Sequence, residues 1–145
     1  QEPRSIQKVA SGGELSRIAL AIKTVTANRD GSPASMVFDE IDTGIGGRTA
    51  QMVAERIAMV AAHRQVLCIT HLPQIACMAD THLYISKHVI DNQTSTVIHP
   101  LTTGERVNEI ARMASGANVS SASLDNAREM IAYAGVKKEE YKKNG

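Results

Sequence analysis

Tryptophan is missing from this chain, and aromatics are scarce: one Phe and three Tyr among 145 residues. A core must therefore be built from Ile, Val, Leu, Met and Ala, and no aromatic platform is available for stacking single-stranded bases. A dominant charge is missing too. Sixteen basic residues against 15 acidic ones leave a formal net charge of +1, which argues against a broad basic nucleic-acid surface within this chain. The small basic cluster Lys137, Lys138, Lys142 and Lys143 is interrupted by Glu139 and Glu140 and reads as a solvated end. The two cysteines, Cys68 and Cys77, show no CxxC or Cys/His metal spacing. Their apolar surroundings suit reduced thiols filling core gaps, and a reducing cytoplasm. No signal peptide and no apolar run near ~18 residues is present, so nothing is expected to span a membrane. The first residue is Gln1 rather than Met, so a piece of a longer chain is expected.

The length suits one domain with one core. After an entry loop over residues 1–10, Ser11-Gly12-Gly13-Glu14 has the form of a capping box, with Ser11 capping a helix. Leu15, Ile18, Ala19, Ile22 and Val25 follow at helical spacing and predict one buried stripe, ended by Asp30-Gly31-Ser32-Pro33. Met36-Val37-Phe38 reads as a short buried parallel strand. The Gly-rich turn 43–47 leads to a helix over 48–63 with Val53, Ile57 and Val60 inward. Val66 to Ile69 reads as a second buried strand, so strand, helix and strand form a βαβ unit. A short helix over 73–78, a hairpin of Leu83–Val89 and Thr94–His99 around Asp91-Asn92, and two more helices complete the pattern. The first of these helices carries Val107, Ile110, Ala111 and Ala114 and closes at Gly116. The second is capped by Ser121 or Ser123, carries Leu124, Ala127 and Ile131, and stops at Gly135. The class is α/β, with a mostly parallel sheet, flanking helices, and a C-terminal hairpin plus two helices.

Three clusters sit at element ends, where open α/β sheets place ligand sites. Two glycines at the start of the Ser11 helix let something approach the backbone closely. The free N–H groups and positive dipole end there favour an anion such as phosphate, although a plain capped helix fits the same four residues. The strand ending in Asp39-Glu40 can place one acid for Mg²⁺ and the other for polarising a water. Two exposed acids capping the next turn fit equally. His71, after Thr70 at the second strand's end, can touch a phosphate or a water, or be an ordinary hydrogen-bonded residue.

Taken in order, these clusters resemble the ATP-binding-cassette family. Val9-Ala10-Ser11-Gly12-Gly13-Glu14 is similar to its signature motif, Val37-Phe38-Asp39-Glu40 to Walker B with its catalytic Glu, Ile41-Asp42-Thr43-Gly44 to its D-loop, and His71 to its switch His. The longer runs from Lys8 to Arg17, Phe38 to Ile45 and Thr70 to Ala76, with the segment from Arg106 to Met130, resemble the chromosome-maintenance (SMC-like) branch and its DNA-repair members. The resemblance implies a split P-loop NTPase head whose C-terminal lobe occupies residues 1–136, followed by a charged tail, 137–145, expected to fray. It also implies two heads dimerising head to tail around ATP. Ser11, Gly12, Gly13 and Glu14 would face the partner's nucleotide. Asp39 would support Mg²⁺, Glu40 would act as the base, His71 would hold the γ-phosphate, and Asp42 would link the two sites across the interface. The whole protein would act in DNA double-strand-break repair and recombination in the cytoplasm, at the nucleoid, with DNA contacted outside this chain.

No Gly-Lys dipeptide occurs, so the chain has no GxxxxGK[ST] phosphate loop. The run Gly44-Ile45-Gly46-Gly47-Arg48-Thr49 follows the strand acids and lacks the Lys. By the resemblance, Walker A, the Q-loop and the coiled-coil arms lie upstream of Gln1. The chain alone is then expected to be inactive and to expose apolar surface where the missing lobe packs. Two other readings stand beside this one. One is a non-catalytic dimerisation lobe of another chromosome-maintenance protein. The other is a metal-dependent hydrolase built on Asp39, Glu40 and His71, although no second His/Asp ligand cluster accompanies them.

Overall fold

The computed structural model describes residues 11–26, 35–90 and 93–143. Its elements run α1 (Gly12–Thr26), β1 (Ser35–Phe38), α2 (Gly47–Ala61), β2 (Gln65–Cys68), α3 (Pro73–Ala76), β3 (Leu83–Ile90), β4 (Gln93–Pro100), α4 (Thr103–Ser115) and α5 (Ser121–Lys143). The entry loop, the Asp30–Pro33 stop and the Asp91-Asn92 turn lie outside the described residues.

The class is mixed α/β, but the sheet is smaller than the pattern predicts. Among the described residues the strands form two separate pairs: β1 parallel to β2, and β3 antiparallel to β4. The parallel register pairs Met36 with Val66, Val37 with Leu67 and Phe38 with Cys68. Paired residues point to the same face, so the pair has two unlike sides. Met36 and Phe38 are buried, with Val66 and Cys68 packed beside them. Val37 and Leu67 are 67% and 50% exposed, and Ile69, two residues beyond Leu67, shares their side. The strands expected to be buried are thus covered on one face only. Parallel strands are normally covered on both, so an apolar face is left bare.

The core lies mostly around α2. Val53, Ile57 and Val60 face inward as their spacing predicts, and Ala50, Ala54 and Ala58 let neighbouring elements approach. Ile75, Ala76, Cys77 and Met78 close one end of this core, while Ile110, Ala111, Ala127 and Ala134 bring α4 and α5 against it. Thr102 opens α4 with a capping box to Glu105, and Gly116 ends it at φ +77°.

Two helix expectations are corrected. On α1, Leu15, Ile18 and Ile22 are exposed, and Leu20 is the buried apolar residue; the side chain of Val25 lies outside the described residues. The inward face is Gly13, Ser16, Arg17 and Leu20, a polar-bearing stripe turned toward the end of β1. On α5, Ser120 does the capping. Its Oγ accepts the Ser123 N–H at 3.2 Å, and its own N–H donates to Ser123 Oγ at 2.7 Å. The helix then runs through Gly135 to Lys143 because its last turns are tied down. Lys138 Nζ donates to Ala79 O at 3.2 Å and to Asp80 Oδ1 at 2.9 Å, and Tyr141 packs on the core. The segment 137–143, expected to fray, is helical. Among the described residues no helix is long and apolar enough to cross a membrane.

Candidate functional site

The parallel pair brings the acids and the histidine to one edge. Phe38 O accepts the Ile69 N–H at 2.9 Å, so Asp39 and Glu40 leave β1 beside the point where Thr70 and His71 leave β2. The charges of Asp39 and Asp42 are both felt by Cys68 at the end of β2. Burial first, then these two carboxylates, push its thiol up to about 12. Burial pushes the Cys77 thiol up to about 11. Both cysteines are free and stay protonated at neutral pH, which leaves neither as a nucleophile.

The start of α1 completes the edge. The Ser11 N–H donates to Glu14 Oε2 at 2.7 Å and the Glu14 N–H to Ser11 Oγ at 3.4 Å. This is the reciprocal cap that the tetrapeptide predicts. Its hydrogen bonds from Ser11 hold the Glu14 carboxyl below its ordinary range. One turn on, Ser16 Oγ donates to Asp39 O at 3.1 Å. Arg17 Nη1 donates to Ile41 O at 3.1 Å and to Thr43 O at 3.0 Å. The helix start is thereby fastened to the turn that follows the strand acids.

The glycines make that contact possible. A Cβ on Gly12 would lie 3.0 Å from Glu40 Oε2, and one on Gly13 only 2.8 Å from Glu40 O and 3.0 Å from Thr43 Cβ. What approaches the glycine backbone closely is first of all the chain's own Glu40 turn. Ser11 and Gly12 stay exposed while Gly13 is buried. Glu40 adopts φ +56°, the left-handed region, which costs a non-glycine residue roughly 1–2 kcal/mol. Hydrogen bonds hold it there: its N–H donates to Asp39 Oδ1 at 2.9 Å, and its O accepts the Thr43 N–H at 3.1 Å. Strain of this kind concentrates at working sites.

Within this chain Asp42 is held at the strand edge by Thr70 and His71. It is 3% exposed, and its carboxylate turns into its own chain. Oδ2 accepts from Thr70 Oγ1 at 2.6 Å, from the His71 N–H at 2.9 Å and from His71 Nδ1 at 2.9 Å. Burial opposes its ionisation, but the hydrogen bonds from Thr70 and His71, with the His71 ring, outweigh burial and hold the carboxyl below its ordinary range. A carboxyl depressed by folding adds stability above its ordinary pKa and loses it as pH falls through the folded value. The melting-temperature gap between wild type and Asp42→Asn is expected to be full near neutral pH and to close below about pH 4. A gap that stays constant through acid titration would contradict this assignment.

Ser16 and Arg17, which the sequence reading did not single out, fasten this edge together with Thr70 of the third cluster. The signal for the first two is a polar pair spaced with Gly13 and Leu20 along one helical face, at intervals of three and four residues.

No family model matches the chain. Curated relatives do. The protein named DNA repair protein RecN in Bacillus subtilis is 50% identical over 131 residues, 90% of this chain. Its namesake in Deinococcus radiodurans is 48% identical over 132 residues, or 91%, and that in Haemophilus influenzae 42% over 131 residues, or 90%. The chain spans just under a quarter, 23%, of the length of each of these three proteins. Matched along nine-tenths of its residues at this identity, the chain belongs to the RecN family.

Proposed function

We propose that this chain is the C-terminal lobe of an ABC-type ATPase head in a protein acting in DNA double-strand-break repair and recombination. The observation that carries the reading is convergence. Three separate segments, Ser11–Glu14, Asp39–Asp42 and Thr70–His71, meet at one sheet edge and are joined by Ser16, Arg17 and Asp42. The relatives' shared name supports the repair role.

In this reading two heads pair head to tail, and each nucleotide is shared. Ser11 and the exposed Gly12 amide of one head meet the terminal phosphate of ATP held by the other head's Walker A lobe, where the helix dipole favours negative charge. The cap by Glu14 sets the direction of those amides. Glu40 takes a proton from the attacking water, and His71 faces the γ-phosphate. Positioning and charge stabilisation supply most of the rate in such transfers. Among the described residues no group of three or more His, Cys, Asp and Glu side chains gathers that could hold a metal. Mg²⁺ is commonly held by one or two carboxylates together with substrate phosphates. Asp39 would hold the ion, which would neutralise charge on the phosphoryl group when bound.

The bare face of Val37, Leu67 and Ile69 supports the same reading, since the N-terminal lobe of a head would cover it. DNA is met by the rest of the protein, inside the cytoplasm. Mixing this chain with the N-terminal, Walker A-bearing part of the protein tests the proposal. ATP turnover is expected only in the mixture. Turnover by this chain alone, or none in a mixture that forms a stable complex, would overturn it.

A further inference from the structure

We propose that Asp42 is a positioning residue that locks His71 in one tautomer, so that Nε2 is the nitrogen left to work at the sheet edge. The proposal rests on the proposed role of His71 for its kinetic consequence, though not for its geometry.

The lock follows from donor and acceptor counting. The Leu72 N–H donates to Thr70 Oγ1 at 3.0 Å, so the Thr70 hydroxyl accepts from behind and its own proton points to Asp42, 2.6 Å away. The His71 N–H points to the same carboxylate oxygen at 2.9 Å. An ionised carboxylate only accepts, so the ring nitrogen 2.9 Å from it, Nδ1, carries a hydrogen. The Asp42 side chain is 4% exposed and cannot turn to water, while the His71 side chain is 74% exposed. The buried acid is the fixed element and the ring the mounted one. The arrangement is rigid because Asp42 belongs to the same turn that Arg17 fastens to α1 through Ile41 O and Thr43 O.

The consequence is chemical. In the neutral ring Nε2 holds a lone pair and accepts. A phosphate oxygen also only accepts, so neutral His71 meets it through a bridging water, and meets it directly only after Nε2 takes up a proton. Either way Asp42 decides which nitrogen faces the nucleotide, without touching the nucleotide itself. The same pairing of a buried acid with a histidine Nδ1 orients imidazole bases in hydrolases.

The test uses the full-length protein with ¹⁵N-labelled histidine. The neutral His71 ring is expected to show a protonated Nδ1 and an unprotonated Nε2, and Asp42→Asn is expected to shift it toward the opposite tautomer. Asp42→Asn is expected to lower kcat for ATP by at least ~10-fold while KM moves within about twofold. In a His71→Ala background Asp42→Asn should add no further loss, because two residues acting as one unit are not additive. An unprotonated Nδ1 in the wild-type protein, a measurement that needs no variant to fold, overturns the proposal. So do losses that multiply in the double variant. If His71→Ala leaves turnover unchanged while the ring signals respond as expected, the phosphate-facing role of His71 falls and the tautomer lock stands.

Discussion

Glu40→Gln in the full-length protein is expected to cut ATP turnover by at least ~100-fold, the usual share of a general base, while leaving ATP bound. The structure makes this a clean substitution. Glu40 is exposed, so its carboxylate carries no core packing. Its left-handed backbone is held by Asp39 Oδ1 and the Thr43 N–H, contacts that glutamine keeps. Only the capacity to take a proton is lost. On the proposed reading, in which loss of the γ-phosphate separates the heads, nucleotide should then be trapped between paired heads. Near-normal hydrolysis by the Gln variant would remove Glu40 from its assigned role and leave its strained backbone without a catalytic reason.

Gly13→Val is expected to cost about 3 kcal/mol, toward the upper end of overpacking penalties, and to abolish turnover. The obstacles are a backbone oxygen at 2.8 Å and the Cβ of Thr43 at 3.0 Å, neither of which is the flexible end of a side chain. Valine's better helix propensity returns only a few tenths of a kcal/mol. To make room, α1 must leave the Glu40 turn, which would break the Ser16 and Arg17 hydrogen bonds together. Gly135→Ala is the contrasting control. It lies inside α5 with nothing within 4 Å of the added Cβ, and it should raise stability by up to about 1 kcal/mol. Thermal melting of the two variants beside wild type checks both. A Gly13→Val protein that melts at or above the wild-type temperature would refute the close packing of α1.

The contrast between these two glycines shows where the sequence is legible. Regular elements could be read wherever local chemistry agrees with burial. The α2 stripe of Val53, Ile57 and Val60 is inward as spaced, the Ser11 cap forms, and β3 and β4 pair as a hairpin. The Ser11, Asp39-Glu40 and Thr70-His71 clusters also come together at one edge. The inward face of α1 was misjudged for a physical reason. Hydrophobic periodicity picks the most apolar stripe, Leu15, Ile18 and Ile22, and that stripe is exposed here, along with Val37 and Leu67 of the parallel pair. Periodicity reports which residues are apolar at regular spacing, and which of them are buried is decided by what packs against each face in the folded chain. The polar face of α1 could not be read that way, since Ser16 and Arg17 hydrogen-bond to backbone oxygens that only the folded turn creates. The contacts of Asp42 were illegible for a related reason, since its partners, Thr70 and His71, lie far along the chain. The end of α5 escaped because Gly135 resembles a stop, and the Lys138 contacts to Ala79 and Asp80 are invisible before folding.

Sharing of each nucleotide between two heads is the claim on which the proposed chemistry depends, and mixed heads test it directly. Full-length protein carrying Ser11→Arg and full-length protein carrying Glu40→Gln should each be inactive alone. In a mixture, half of randomly formed pairs hold one site that joins an intact Glu40 to an intact Ser11 from the other head. Turnover should recover to roughly a quarter of wild type if the sites work independently. A mixture that pairs freely yet stays as inactive as its components would contradict the account, because Ser11 and Glu40 would then be serving the same nucleotide from the same chain.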